Sequence, residues 1–261
     1  MTDEAQETPA KTRETDQMGG FAKGLAVIEA FGRGRSSLTI ADVARIANLD
    51  RATARRCLLT LVNTGYASSD GRQFELTPRI LRLGHTFLTA SLPRLIQPTL
   101  DQLADNVQES CSASVLDGNE VVYIARAARH RLMGVGLHSG SRLPAYCTSM
   151  GRALLASLPS DQCRALLLSS ERPALTNRTV TDVDELMQEL AKVRETGYAL
   201  IDQEVEIGSR SIAVPVRNIT GRTVAAINIG AHATRATMER IMQDYLPNLI
   251  KAQQTLGEIL P

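Results

Sequence analysis

Apolar positions become periodic at Phe21. Leu25, Ile28 and Phe31 mark one face of a first helix, which breaks at Gly32-Arg33-Gly34. Thr39, with Asp42 three residues on, forms a capping-box variant that opens a second helix. In it Ile40, Val43, Ala44 and Ala47 keep the i, i+3, i+4, i+7 spacing. Asn48-Leu49 turns the chain and Asp50 caps a third helix, whose inward stripe is Ala54, Leu58, Leu61, Val62 and Gly65. Tyr66 to Leu76 predicts a β-hairpin with Asp70-Gly71 as a type I′ turn. After Pro78, Ile80, Leu83, Gly84, Phe87 and Leu88 lie on one face of a further helix that stops near Pro93. This connector either pairs with its twin in a dimer or packs on its own domain, and the pattern suits both equally.

From Pro93 the pattern turns to mixed α/β. Leu95, Leu100, Leu103 and Val107 predict a helix, and strands at Ala113–Leu116 and Val121–Ala125 flank the Asp117-Gly118-Asn119 turn. A strand follows at Leu132–Leu137, then helices at Arg152–Ser157, Asp161–Leu168 and Asp182–Glu195. Strands at Tyr198–Asp202, Ile212–Val216 and Thr223–Ile229 precede a closing helix from Ala236 to Gly257. The expected class is α+β. A winged helix-turn-helix (residues 21–77) is joined by a connector helix (78–92) to an α/β domain with an antiparallel sheet (93–261). Residues 1–20, rich in Thr, Glu, Asp and Gln with no apolar h-region, are read as a disordered tail rather than a secretory signal.

Charge sharpens this division. The net charge is only +1, yet residues 21–90 carry ten Lys or Arg against five Asp or Glu, while residues 91–261 carry 17 against 18. A basic front on a neutral body suits a DNA-binding module joined to something else. On a helical wheel of the third helix, Ala52, Thr53 and Arg56 point away from the inward stripe, Arg55 flanks them and Arg51 sits in the first turn. Small residues permit close approach to a major groove, and Arg bonds bases bidentately or clamps phosphates. Arg72, beside the hairpin tip, is placed to reach a phosphate or the minor groove. A helical pair with a solvated basic face is the bland alternative, and three helices followed by a hairpin count against it. A winged-helix module that binds protein instead of DNA stays open.

Enzyme readings fare less well. Gly19 and Gly24 have P-loop separation, but Leu25 stands where Lys is required. There is no G-x-S-x-G elbow, and His85, His130, His138 and His232 lack metal-ligand spacing, so neither cofactor nor metal is implied. Cys147 precedes a predicted helix whose dipole would lower its pKa, with His138 near in sequence. A thiol-dependent or hydrolytic enzyme is therefore kept as an alternative to a small buried cysteine. The four cysteines form no C-x-x-C pair and no apolar run reaches the ~18 residues of a membrane span, so a cytoplasmic protein without membrane contact is expected. Thr148-Ser149-Met150-Gly151 leads into a helix, where free N–H groups would hold a carboxylate or the Ser/Thr cluster would merely cap.

Three stretches together resemble the IclR family of bacterial regulators. They are the winged domain from Phe21 to Leu76, Leu143-Pro-Ala-Tyr-Cys-Thr-Ser-Met-Gly-Arg-Ala-Leu-Leu-Ala156, and Gly197–Gly230 with Ile212-Ala-Val-Pro-Val216. Within the family, the 143–156 stretch and Ala52-Thr-Ala-Arg-Arg-Cys-Leu-Leu-Thr-Leu61 look like the subgroup controlling the β-ketoadipate pathway of aromatic-acid breakdown. The resemblance implies a DNA-binding regulator and not an enzyme. It implies a GAF-like effector domain, homodimers or homotetramers on promoter DNA, and an effector such as protocatechuate, 4-hydroxybenzoate or β-ketoadipate; RNA polymerase is a candidate partner besides. Carried over residue by residue, its effector pocket falls on Leu132, Val135, Leu143, Ser149, Met150, Ile201, Ser209, Ser211, Asn228 and Gly230. Ile201 stands where some relatives that bind small oxoacids carry an acidic side chain, which makes this pocket less polar.

Overall fold

A computed structural model describes residues 18–32, 36–83, 91–129 and 136–261. The chain divides into two compact units, residues 1–87 and 88–261.

The first unit runs α1 (Gly19–Glu29), β1 (Ser37–Thr39), α2 (Ile40–Ile46), α3 (Arg51–Asn63), β2 (Ala67–Ser69) and β3 (Gln73–Leu76). The capping box closes as the sequence predicts. The Asp42 N–H donates to Thr39 Oγ1 at 3.2 Å and the Thr39 N–H to Asp42 Oδ2 at 3.1 Å, so two orphan donors of α2 are satisfied. Asn48, at φ 51°, makes the tight turn between α2 and α3, and Asp50 Oδ1 accepts the Thr53 N–H at 2.8 Å to start α3. Ala54, Leu58 and Leu61 bury the inner stripe of α3 against Val27, Ala30, Phe31, Leu38, Val43, Ala44 and Phe74.

Three local expectations change here. The inward face of α1 is Val27, Ala30 and Phe31, while Phe21 and Leu25 are 66% and 43% exposed. Both stripes of α1 are apolar, so periodicity alone could not choose between them. Phe21, Leu25 and Ile28 instead line a concavity with Thr53, Cys57 and Tyr66. The wing turn is not type I′, which needs positive φ at both central residues. Only Gly71 is left-handed (φ 94°), and the Asp70 carboxylate holds the tip by accepting the N–H groups of Arg72 (2.8 Å) and Gln73 (2.7 Å). Finally, β1 joins the wing as a third strand, in the order β1-β3-β2 with Leu38 opposite Phe74.

Beyond Leu76 a 3₁₀ turn, Pro78–Ile80, is capped by Thr77. Residues 84–90, the middle of the expected connector, lie outside the described residues. The next helix, α4 (Ser91–Val107), contains Pro93 in its first turn and is not stopped by it, because a first-turn N–H has no intrahelical partner to lose.

The second unit is a six-stranded antiparallel sheet between two helical layers. After α4 come β4 (Ser110–Asp117), β5 (Glu120–Ala127), β6 (Arg142–Pro144), α5 (Ser149–Ala156), α6 (Ser160–Leu168), α7 (Val183–Thr196), β7 (Ala199–Asp202), β8 (Ser209–Arg217), β9 (Thr223–His232) and α8 (Leu246–Ile259). The strand order is β6-β5-β4-β9-β8-β7. One face packs on α4 and α8 through Cys111, Ala113, Ile124, Ile212, Val214, Ile227 and Ile229. The other receives α5, α6 and α7 through Met150, Leu155, Cys163, Leu186 and Leu190.

The expected strand at Leu132–Leu137 falls largely on residues 130–135, outside the described ones, and Gly136 and Leu137 are not in a strand. The edge strand is β6, with Leu143 opposite Val121. The expected closing helix is interrupted. One α turn (Met238–Arg240) and a π turn (Ile241–Tyr245) precede α8, whose first turn holds Pro247. Proline has no N–H to continue the ladder from the preceding turn, which accounts for the break.

Candidate nucleic-acid face and ligand pocket

On α3, Arg51, Ala52, Arg55 and Arg56 are exposed, and Thr53 is half-buried with its N–H committed to Asp50. The Thr53 side chain, and then this backbone hydrogen bond, hold the Asp50 carboxyl below its ordinary value. Thr53 and Arg56 border the concavity beside α1. Arg72 is exposed at the wing tip. Among the described residues no salt bridge engages Arg51, Arg55, Arg56 or Arg72. A helix with a small residue and three solvated arginines near its start is suited to phosphates and base edges.

In the second unit, the face of β4 turned toward α5 carries Ser110, Ser112 and Ser114, while Cys111 and Ala113 enter the opposite core. Cross-strand register extends this polar face sideways. Ser112 lies opposite Arg126 on β5 and opposite Asn228 on β9, and Ser110 lies opposite Gly230, itself opposite Ser211 on β8. A β-bulge between Ala113 and Ser114 shifts the pairing so that Tyr123 and Arg126, an odd number of residues apart, reach the same pocket. Leu137, Leu143, Met150 and Val205 supply apolar walls. The result is a pocket with a polar sheet floor beneath apolar side chains, the usual composition of a small-molecule site.

Its polar groups are unevenly satisfied. Arg126 Nη1 donates to Ser112 Oγ at 3.0 Å, and its backbone is clamped by Gln97 of α4 through two hydrogen bonds of 3.2 and 3.3 Å. Arg126 Nε, Ser149 Oγ and Asn228 Oδ1 are buried without a partner. Burial lowers the Arg126 pKa from its ordinary value.

The carried-over residues Leu143, Ser149, Met150, Ser209, Ser211, Asn228 and Gly230 all line this pocket. Ile201 does not. It is buried beside Ser211 in the β7–β8 pairing. Leu132 and Val135 lie outside the described residues. Ser110, Ser112, Tyr123, Arg126, Leu137, Thr148 and Val205 line the pocket and were missed from sequence. The alternation Ser110-Cys-Ser-Ala-Ser114 was a legible sign of a strand with one small polar face. Thr148 caps α5 as one reading of its cluster had it, accepting the Gly151 N–H at 3.2 Å.

Cys147 is fully buried, and burial pushes its thiol up to about 12, against the lowering expected from a helix dipole. A thiol so reluctant to ionise is a poor nucleophile at neutral pH. His138 Nδ1 is engaged with the Ser139 carbonyl at 2.9 Å. Among the described residues no cluster of three His, Cys, Asp or Glu is placed to hold a metal, and no helix is long and apolar enough to cross a membrane.

Comparison with known families accounts for both units. The IclR helix-turn-helix domain matches residues 21–71, and the bacterial transcriptional regulator IclR C-terminal domain matches residues 86–257. The chain belongs to the IclR family. This IclR-family regulator is similar to the Pca regulon regulatory protein of Pseudomonas putida, with 42% identity across 97% of this chain and 87% of that one. It is also 37% identical to the p-hydroxybenzoate hydroxylase transcriptional activator of Acinetobacter baylyi, over 95% of this chain and 94% of the relative. Its fold matches the inducer-binding domain of the PobR transcription factor from Acinetobacter, solved as a double mutant with 3-hydroxybenzoic acid. That match has a TM-score of 0.61 and 32% identity, and covers 64% of this chain and 98% of the other. These relatives are transcriptional regulators, which sets aside both the Cys147 enzyme and a winged helix serving only protein contacts.

Proposed function

We propose that this IclR-family protein controls genes of aromatic-acid catabolism, with residues 21–77 reading promoter DNA and residues 93–261 sensing a small carboxylic acid. The observation that carries the sensor half is the pocket on the sheet face, where buried polar groups without partners sit beneath apolar walls. Hydroxybenzoate-type ligands suit that mixture, and two of the relatives above are named for regulating such catabolism or were solved with such a ligand. In this reading Arg51, Ala52, Thr53, Arg55 and Arg56 enter the major groove and Arg72 reaches a flanking phosphate or the minor groove. A homodimer or homotetramer on repeated half-sites is the working assembly, with contact to RNA polymerase as one output. Regulation is linkage: an acid that binds one conformation of the sensor better than another shifts promoter affinity by that difference and no more.

Mobility shifts with a duplex that the protein selects from a random pool test the DNA half. Arg72→Ala is expected to weaken selected and scrambled duplexes alike and to flatten the log–log salt slope by about 0.9. Arg56→Ala should narrow the gap between selected and scrambled duplexes by about 1–3 kcal/mol. Wild-type behaviour of both variants would refute the placement of α3 in the groove.

A further inference from the structure

Arg126 differs from four arginines that are anchored on the same unit. Arg142, Arg152, Arg210 and Arg235 each meet a carboxylate. Arg126 meets none among the described residues. Its Nη1 is held by Ser112 Oγ, and its Nε is shielded from solvent without an acceptor. The Nε–Nη2 edge of a guanidinium is the side that takes a carboxylate side-on through two parallel hydrogen bonds. A guanidinium whose Nε is shielded without an acceptor is costly unless an anion completes that edge. The surroundings fix its position closely. Gln97 grips its backbone from α4, the bulge at Ala113/Ser114 aims its side chain into the pocket, and Ser112 holds Nη1.

Two other shielded atoms without partners belong to the same pocket, Ser149 Oγ at the start of α5 and Asn228 Oδ1 on β9. Ser149 is 1% exposed and Asn228 8%. A hydroxyl can both donate to an amide oxygen and accept from a serine. A ligand with one carboxylate and one hydroxyl therefore satisfies all three groups, whereas a second carboxylate brings only acceptors.

We infer that Arg126 is the carboxylate anchor of this pocket and that Ser149 and Asn228 receive a hydroxyl of the same ligand, so that the site takes a hydroxylated monocarboxylic acid in preference to a flexible dicarboxylate. This rests on the reading of the second unit as an acid sensor. It places the ligand's charge on the sheet, leaving the α5 N-terminus to its Thr148 cap.

The test is calorimetric titration of the full chain with 4-hydroxybenzoate, its neutral analogue 4-hydroxybenzamide, and 3-oxoadipate. Wild type is expected to prefer the acid to the amide roughly 100-fold, the scale of a hydrogen-bonded charge pair. Arg126→Gln should remove that preference, bringing the ratio near one, and Asn228→Leu should weaken 4-hydroxybenzoate while leaving benzoate nearly unchanged. If Arg126→Gln does not fold, Arg126→Lys decides, since it keeps the charge but loses the planar edge and should cost about tenfold. An unchanged acid-to-amide ratio in the variant, or tighter binding of 3-oxoadipate than of 4-hydroxybenzoate by wild type, overturns the assignment alone. Binding of none of the carboxylates overturns it together with the sensor reading, and the DNA measurements stand apart from both.

Discussion

Methionine in place of Arg152 is expected to lower the stability of the sheet unit by about 3–5 kcal/mol at neutral pH, the cost of leaving a buried charge alone. The Arg152 side chain is 3% exposed. It donates from Nη2 to Glu204 Oε2 at 2.6 Å and from Nε to the Tyr146 carbonyl at 2.9 Å. Glu204 Oε2 also accepts the Val180 N–H at 3.1 Å. Burial pushes the Glu204 carboxyl up, and Arg152 with the Val180 N–H pulls it down by less. Without Arg152 the Val180 N–H is left to oppose the upward push. A carboxyl raised in the folded state is protonated in both states below the unfolded value of about 4.3, where it costs nothing. The cost grows as pH rises from there toward the folded value. R152M should therefore lie nearest to wild type in a melt at pH 5 and furthest at pH 7.5. Adding Glu204→Gln should recover much of the loss, since an amide needs no counter-charge. Val205, next to Glu204, lines the pocket, so ligand affinity should fall along with stability. A variant melting within about 1 kcal/mol of wild type at pH 7.5 would show that Glu204 is not held as a buried anion.

Gly151→Ala should cost about as much, roughly 3 kcal/mol, by a different route. A β-carbon at residue 151 would fall on the backbone of Ala145 and on Thr148 Oγ1. Neither can yield easily. Thr148 Oγ1 is fixed by the Gly151 N–H at 3.2 Å and the Pro144 carbonyl at 3.0 Å, and Ala145 itself is buried. The first turn of α5 would have to lift, carrying Ser149 and Met150 off the pocket. Gly24→Ala is the matched control. Nothing lies near its β-carbon, and helix propensity favours alanine by up to about 1 kcal/mol, so thermal melts should show no loss there.

Much of the fold was legible because periodicity and caps agree locally. Thr39-x-x-Asp42 and Asp50 announce α2 and α3, and the Asp117-Gly118-Asn119 turn announces the β4–β5 hairpin. What escaped was decided by tertiary context. The three residues of β1 are too few to show a period, and they become a strand only because β3 offers an edge. The face of α1 depended on which of two apolar stripes the rest of the unit covers. The break before α8 is carried by one proline inside an otherwise helical pattern. In the pocket, Ser149, Met150 and Asn228 came from family resemblance. Arg126 shares a pocket with Tyr123 only through a bulge, and strict alternation along β5 would have put them on opposite faces. Ile201, opposite Ser211 on the edge strand, shares the sheet face of the pocket but is not among the residues that line it, because a correspondence of position does not fix how far the pocket extends.

The sheet of the second unit divides its duties between its two sides. Cys111, Ala113, Ile212, Ile227 and Ile229 anchor one side to α4 and α8, whereas Ser110, Ser112, Ser211, Asn228 and Gly230 on the other make the pocket floor. Neighbouring positions along one strand thus serve separate ends. A lineage can trade pocket-floor serines for other small side chains, and so drift toward a new inducer, while the larger apolar layer keeps the domain standing.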